Sequence, residues 1–449
     1  MENFAKAVSD FASFVWDWPL IILLFGTHLF LTVRTGFIQR HLGHAIRISF
    51  SRKQEGDGDI SQFGALMTAL AATIGTGNII GVASAVAAGG PGAVFWMWMT
   101  GVFGIATKYA EAVLSVKYRI HLLDGTMAGG PMYVLERGLG QKWLGILFAI
   151  FTCIAAFGIG CMTQANSVVE NLHGAMGGHE TTFRWIVGLI MASLTAAVIL
   201  GGVKSIARVC SYLVPIMALL YLAGCGLILI KNYAEIPASF SLIVTSAFSG
   251  KAAVGGLVGV GMREVVRQGI ARGLFSNESG LGSAPIVAAA ARTKNPVHQA
   301  LVSATGTFWD TVVICLITGL VVVSSGHWHE GLDKVHLTQA AFADLHYLGP
   351  WILLIGLVTF VFSTILGWSY YGEKAAEYLF GERIVLPYRL LWVGAVLAGS
   401  LLKASLVWDL SDIANAFMAV PNLIALLGLS GVVAAETKKF REELTGRDP

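Results

Sequence analysis

Apolar runs of about twenty residues recur along almost the whole chain. No other feature constrains its fold as much, because a helix needs about 20 such residues to cross the hydrocarbon core of a bilayer. The runs lie near residues 18 to 33, 62 to 88, 93 to 116, 143 to 170, 183 to 203, 209 to 230, 254 to 291, 299 to 323, 350 to 378, 386 to 403 and 408 to 434. The polar gaps between them are only loop-sized, so neither a low-complexity linker nor a soluble domain is expected. The expected fold is therefore all-α and integral to the membrane, with about eleven transmembrane helices forming one domain over residues 1 to 449. Only 13% of residues are charged, against roughly 25% in soluble domains, and the mean hydropathy is +0.70.

The charges say which way the chain is threaded. Arg34, Arg40, Arg47, Arg52 and Lys53 fill the first loop, and Lys117, Arg119, Arg137 and Lys142 fill the third. Lys438, Lys439, Arg441 and Arg447 end the chain, in a tail drawn over 435 to 449. The positive-inside rule makes all three regions cytoplasmic, with the N-terminus outside and an odd number of spans. A net charge of +3, with no basic patch interleaved with aromatics, gives nucleic-acid binding no support. The five cysteines sit in apolar segments without CxxC spacing and read as packing residues. The mixed charge of Glu2, Lys6 and Asp10, with no clear small-residue cleavage site after them, predicts a retained first span rather than a signal peptide.

Setting aside the span over 18 to 33, the other ten divide into two sets of five, 62 to 230 and 254 to 434. Five is odd, so the second set enters the membrane inverted relative to the first. Both sets open on a broken segment. The first carries "AATIGTGNIIGVAS", residues 71 to 84, with Gly75, Gly77 and Gly81 in a stretch otherwise fit for a helix. The second carries "RGLFSNESGLGSAP", residues 272 to 285, where Ser276 to Gly282 interrupt the apolar pattern. Each glycine costs about 1 kcal/mol relative to Ala in a helix interior. Paired Gly-interrupted segments in corresponding places of two halves point to a transporter's binding site. For the first segment alone, a small-residue packing face is the other reading.

A helix unwound at the membrane midplane exposes backbone that lipid cannot satisfy, so the break must be buried in protein or line a cavity. The half-helix starting near Asn78 offers the amides of Thr76, Gly77 and Asn78 at a positive dipole end, which suits a carboxylate. The half-helix ending near Ile74 offers free carbonyls to a cation. No Asp, Glu, Lys, Arg or His occurs from Gln62 to Thr107, so this segment suits a zwitterion accompanied by an alkali cation.

Other polar residues within spans are candidates. Gln164 makes either an interhelical hydrogen bond or a substrate contact. Ser363 and Thr364 offer adjacent hydroxyls to Na+ or bond back to their own helix. Trp368, one turn beyond Thr364, closes a pocket or packs. Glu278 and Asp310 are intramembrane carboxylates, functional by default. Three roles are open to Glu278: a protonated acid, a cap on the second half-helix, or a partner of Arg272 or Arg267. Lys108 and Glu111, three apart, are expected to pair near a membrane edge. Arg263, Glu264 and Arg267 make the start of the seventh segment polar. His327, His329, Glu330 and His336 lack standard zinc spacing and are expected in a solvated loop. A channel would need a continuous polar lining. An enzyme finds no HExxH or GxSxG run.

With "ATIGTGNIIGVASAVAAGGPGAVFWMWMTG" and "ARGLFSNESGLGSAP" both present, the chain resembles the alanine/glycine:cation symporters, also called sodium:alanine symporters, from about Trp16 to Ala435. The resemblance implies Na+-coupled uptake of a small neutral amino acid, alanine or glycine, across the bacterial inner membrane. Its implied fold is of the leucine-transporter type: five plus five inverted helices behind one extra N-terminal helix, with two broken helices. It implies Na+ as coupling ion, no organic cofactor, and no obligatory protein partner besides the lipid bilayer. Thr76 and Gly77, with Asn78 opening the half-helix, would hold the substrate carboxylate. Gln164 and the segment Phe275, Ser276 and Asn277 would line the amine and side-chain region, and Thr364 and Trp368 would complete the pocket. The Na+ site would use the carbonyls of Ala71, Ile74 and Phe360 with the hydroxyls of Ser363 and Thr364.

Overall fold

The computed structural model describes residues 2–51, 55–177, 179–249, 261–402 and 405–444. In chain order the helices used below are α1 (Lys6–Arg34), α2 (Gln62–Thr73), α3 (Gly77–Gly89), α4 (Gly92–Lys117), α5 (Lys142–Met176), α6 (Glu180–Ile199) and α7 (Gly202–Lys231). They continue as α8 (Met262–Asn277), α9 (Pro285–Ala288), α10 (Pro296–Ser324), α11 (Leu348–Phe380), α12 (Glu382–Leu401) and α13 (Val407–Gly428). The only strands among the described residues are the short pair Ile120–His121 and Met127–Ala128.

Among the described residues eight helices are long and apolar enough to cross a membrane, or nine if α2 and α3 count as one bent span. Nine of the expected segments have such a counterpart. The other two have more polar counterparts among the described residues. α4 is continuous, and Lys108, Glu111 and Lys117 lower its hydropathy. Of the segment drawn over 254 to 291, residues 254 to 260 lie outside the described residues, and the rest splits into α8 and α9. The first span begins earlier than expected, at Lys6 rather than at 18, because its leading residues pack as a helix against α13.

α6 leaves Ile186, Leu189, Ile190 and Leu194 exposed, and α7 leaves Ile216, Leu219, Leu220 and Ile230 exposed. Soluble proteins rarely present such apolar surface, whereas a bilayer covers it. The buried centre is where α4 packs on α8 and α10, and where α11 packs on α2, α5 and α7.

Both broken segments are real breaks. Ser61 caps α2, accepting at 2.9 Å from the amide of Gly64. The helix then ends as Ile74 turns extended (φ −74°, ψ 97°), and α3 departs at 56°. In the second break Asn277 ends α8, Glu278 adopts a left-handed φ of 53°, and Gly280 and Gly282 follow at +91° and +88°. Glycine takes such angles without steric cost. Pro285 then opens α9, where its missing N–H is no loss.

At one end of the bundle Arg119 ties two stretches of backbone together. Its guanidinium donates to the carbonyls of Ala289, Ala291, Asp57 and Thr293 at 2.7 to 3.0 Å. Ile60 and Ala291 form a parallel bridge beside it.

Candidate functional site

The two breaks face each other across a small cavity lined by Thr76 and Gly77 of the first, Phe275 and Glu278 of the second, Gln164 of α5, Thr364 and Trp368 of α11, and Asn415 of α13. Its open space is about 20 Å³, room for about one water molecule. All but Phe275 are buried, Trp368 at 1% exposure and Gln164 at 3%. Thr76, Gly77 and Phe275 also line a vestibule of about 340 Å³ that runs past Arg272, Lys334, Asp409 and Asp412. Phe275 thus stands between the vestibule and the cavity.

Beside the cavity lies a cluster of oxygens. Ser363 Oγ is 3.1 Å from the carbonyl of Ala71 and 2.8 Å from that of Phe360. Thr364 Oγ1 is 3.5 Å from the carbonyl of Ile74 and 3.0 Å from that of Phe360. The five oxygens expected from Ala71, Ile74, Phe360, Ser363 and Thr364 are therefore in one place. Three carbonyls and two hydroxyls are hard ligands of the kind Na+ accepts, supplied in part by an unwound helix end. α11 reaches this close because Gly75 has no side chain: a Cβ there would lie 2.8 Å from Thr364 Oγ1.

Of the expected substrate-site residues, Thr76, Gly77, Gln164, Phe275, Thr364 and Trp368 line the cavity, while Asn78, Ser276 and Asn277 do not. Asn78 Oδ1 accepts from the amide of Gly75 at 2.9 Å, and its Nδ2 donates to Asp310 Oδ1 at 2.7 Å. Ser276 donates to Asp310 Oδ2 at 3.0 Å. Asn277 Nδ2 lies 3.4 Å from Thr100 Oγ1, and its Oδ1 accepts from the amide of Ser279. Asp310 is thereby the tie between the breaks, the role its sequence left open.

Glu278 pairs with neither Arg272 nor Arg267. Arg267 bridges to Glu264 within α8, and Glu278 accepts from Ser283 Oγ at 2.5 Å and from the indole of Trp368 at 3.1 Å. The cap on the second break comes from elsewhere. Glu111 Oε1 accepts from the amides of Gly280 and Gly282 at 3.0 and 3.1 Å and from Asn422 at 2.8 Å. This corrects the expected Lys108 to Glu111 pair at a membrane edge. Both residues are deeply buried, Glu111 is engaged by backbone, and the Lys108 ammonium has no hydrogen-bond partner among the described residues. After α10, His327 pairs with Glu330 in a short turn, whereas His336, expected in a loop, stands in the first turn of the helix Lys334–Ala343 and pairs with its N-cap Asp333.

Sequence reading missed Asn415, whose signal was an amide within a span, as for Gln164. It also missed Glu111 as the anchor of a break that lies 169 residues away.

A membrane bundle in which two broken helices meet at a small polar cavity, beside a cluster of carbonyl and hydroxyl oxygens, is the architecture of a secondary transporter. The family model described as the sodium:alanine symporter family matches residues 1–448. The sodium/alanine symporter AgcS of Methanococcus maripaludis is 51% identical over 451 residues, 98% of either chain. A probable sodium/glutamine symporter, GlnT of Bacillus subtilis, is 36% identical over 97% of this chain and 90% of its own. Among solved structures, MhsT in complex with L-phenylalanine superposes with a TM-score of 0.57 at 14% identity, covering 86% of this chain and 99% of that one. That likeness shows the fold, which is of the leucine-transporter type. The chain belongs to the sodium:alanine symporter family, and it is a multi-pass membrane transporter rather than an enzyme. Its activity is Na+-coupled symport of an amino acid.

Proposed function

We propose that the protein carries alanine or glycine into the cell with Na+ by alternating access. Thr364 is the observation that carries this reading, because its side chain belongs both to the cavity and to the oxygen cluster. An ion bound at Ala71, Ile74, Phe360, Ser363 and Thr364 orders the same break that offers the amides of Thr76 and Gly77 to the substrate carboxylate, the Asn78 amide being taken by the carbonyl of Gly75 at 3.2 Å. Gln164, Phe275 and Trp368 enclose the remainder, with Ser276 and Asn277 holding the second break in register. The cavity has room for about one water molecule, so any substrate must displace its lining, and a methyl group or a hydrogen requires less displacement than a glutamine-sized side chain.

The threading that accompanies this reading has eleven spans in a five-plus-five inverted arrangement behind α1. The N-terminus lies outside the bacterial inner membrane and the tail inside. The vestibule then opens outward and Arg119 closes the cytoplasmic end. Differential affinity of the loaded and half-loaded protein for the two gates couples the fluxes. At about 2.3 kcal/mol per charge per 100 mV, the membrane potential alone supports roughly fifty-fold accumulation.

The test is uptake of labelled alanine, glycine and glutamine into proteoliposomes under an imposed Na+ gradient. Na+-dependent flux of the two small substrates, with glutamine a poor competitor, is the expected result. Flux that ignores Na+, or a preference for glutamine, overturns the reading.

A further inference from the structure

Arg119 and Arg389 are engaged by the protein itself. Four carbonyls surround the first, and both oxygens of Glu373 hold the second, at 2.6 and 2.9 Å, beside the start of α7. Lys204 and Arg208, in the first two turns of α7, are placed differently. Both are exposed, and neither side chain makes an ion pair or a hydrogen bond among the described residues.

The two line a groove of about 270 Å³ together with Asp59, Ile60, Ser61 and Arg292. It forms where α7 comes close to the entry of α2: a Cβ at Gly64 would lie 3.4 Å from that of Ala207. Arg292 joins from the stretch after the second break, its Nε donating to the carbonyl of Gly58 at 3.2 Å. Asp59 is the one acid in the lining, and its Oδ2 accepts from the amide of Met127 at 2.9 Å. Three cations against one acid leave the groove positive.

Past Arg208 the same face of α7 turns apolar. Tyr212, Ile216 and Leu219 follow at every third or fourth residue, a spacing that keeps them on one side of the helix, and all three are exposed. From Arg208 to Leu219 the helix rises about 17 Å, close to the roughly 15 Å of hydrocarbon in one leaflet. A cationic groove at the head of a lipid-facing stripe matches a phospholipid, with its phosphate at one end and an acyl chain along the other. Basic pockets between membrane helices bind anionic head groups in this way.

We infer that the groove between α7 and the entry to α2 is a binding site for an anionic phospholipid, with Lys204, Arg208 and Arg292 around its phosphate and the face from Tyr212 to Leu219 carrying an acyl chain. A head group held from both sides ties α7 to the stretch that follows the second break. In the proposed threading the lipid belongs to the cytoplasmic leaflet. The site itself depends neither on that threading nor on the transported substrate.

The experiment titrates the purified, delipidated full-length protein in detergent with phosphatidylglycerol or phosphatidylcholine, and reads bound lipid by native mass spectrometry and stability by thermal shift. Phosphatidylglycerol is expected to bind and stabilise. Phosphatidylcholine, whose ammonium offsets its phosphate, should do so far less. Lys204→Gln combined with Arg208→Gln is expected to weaken phosphatidylglycerol about 30-fold, and each substitution alone about five-fold. The single variants decide the matter if the double one does not fold. Lys438→Gln with Lys439→Gln removes two equally exposed charges from the tail helix and should leave the affinity unchanged.

Equal affinity of the wild-type protein for the two lipids, or wild-type affinity in the groove variants, overturns the inference. So does an equal loss in the tail variant, which would make the attraction a property of the whole surface. Displacement of phosphatidylglycerol by millimolar inorganic phosphate would overturn it as well, because the groove would then be a site for free phosphate and not for a lipid.

Discussion

Asn78 joins the first break to α10 through a 2.7 Å hydrogen bond from its Nδ2 to Asp310 Oδ1, while its own Oδ1 holds the amide of Gly75. Ser276 of the second break donates to the same carboxylate. Asp310 accepts also from Thr311 at 2.6 Å. The two breaks therefore share one buried acid, and a change at one is felt at the other. Replacing Asn78 by Asp removes the donor and sets a second carboxylate against the first. The expected loss is about 3–5 kcal/mol, the cost of an uncompensated buried charge. Asn78→Ala should lose less, about 1–3 kcal/mol. Unfolding in detergent compares them, and equal stability of the two variants would contradict the arrangement.

On the proposed reading, Ser363 and Thr364 separate ion binding from substrate binding. Both hydroxyls meet the oxygen cluster, but only Thr364 lines the cavity. Ser363→Ala should raise the Na+ concentration for half-maximal uptake about ten-fold and leave alanine affinity at saturating Na+ unchanged. Thr364→Ala should weaken both, and Thr364→Ser should restore most of the Na+ response. Titrating Na+ in the uptake assay distinguishes these. A Ser363→Ala protein with ordinary Na+ dependence would remove that hydroxyl from the ion site.

Gly160 is the seat of Trp368. A Cβ at this position would lie 2.3 Å from Trp368 Cβ and 2.5 Å from its ring, so the indole must move away. Moving it breaks the contact with Glu278. Gly160→Ala is expected to cost about 1–3 kcal/mol as overpacking, and to change the fluorescence of the indole as well as abolish alanine binding. A variant that binds alanine like the wild type would show that the position of Trp368 does not govern the cavity.

The breaks were legible because glycine and asparagine are conspicuous in an apolar run, and nine of the expected segments were legible from run length alone. Side-chain direction was not. Ser363 reaches across to Ala71, whereas Ser369, six residues on, bonds the carbonyl of Leu366 in its own helix. Both are serines in the same span, and nothing local in the sequence separates them. Glu111 shows the same limit from the other side. Three residues from Lys108, it looks like half of a local pair, but the backbone amides of Gly280 and Gly282 are better partners and arrive only with the tertiary fold. Asn415 carried the same local signal as Gln164, a lone amide in a span, yet its place at the cavity depends on how α13 packs against α5.

Glu111 anchors the second break, and its two substitutions should differ. Glu111→Ala leaves two buried amides without an acceptor, at about 1–3 kcal/mol each. Glu111→Gln keeps a carbonyl oxygen in their reach and should be milder. Hydrogen exchange at residues 278 to 284 is the direct readout, with faster exchange in the Ala variant than in the Gln variant. Wild-type protection in Glu111→Ala would mean that the break is held by its own turn.

Arg119 draws together two pieces of backbone that must part if this end is to open: the stretch after the second break at Ala289, Ala291 and Thr293, and the strand-like entry to α2 at Asp57. A planar guanidinium can serve four carbonyls in a fixed fork, and a lysine ammonium cannot reproduce that geometry. Arg119→Lys should therefore keep the charge and lose the latch. Ile60, buried at 6% exposure and bridged to Ala291, reports on it. In a background without the five native cysteines, a cysteine at position 60 should react with a membrane-impermeant thiol reagent about ten-fold faster when Arg119 is lysine, because about 1.4 kcal/mol of lost closure is a ten-fold gain in the open population. Na+ binding at the oxygen cluster should slow the reaction again if ordering of the first break favours the closed end. Labelling at the wild-type rate would show that the carbonyl cluster is maintained by the rest of the packing and that Arg119 merely occupies it.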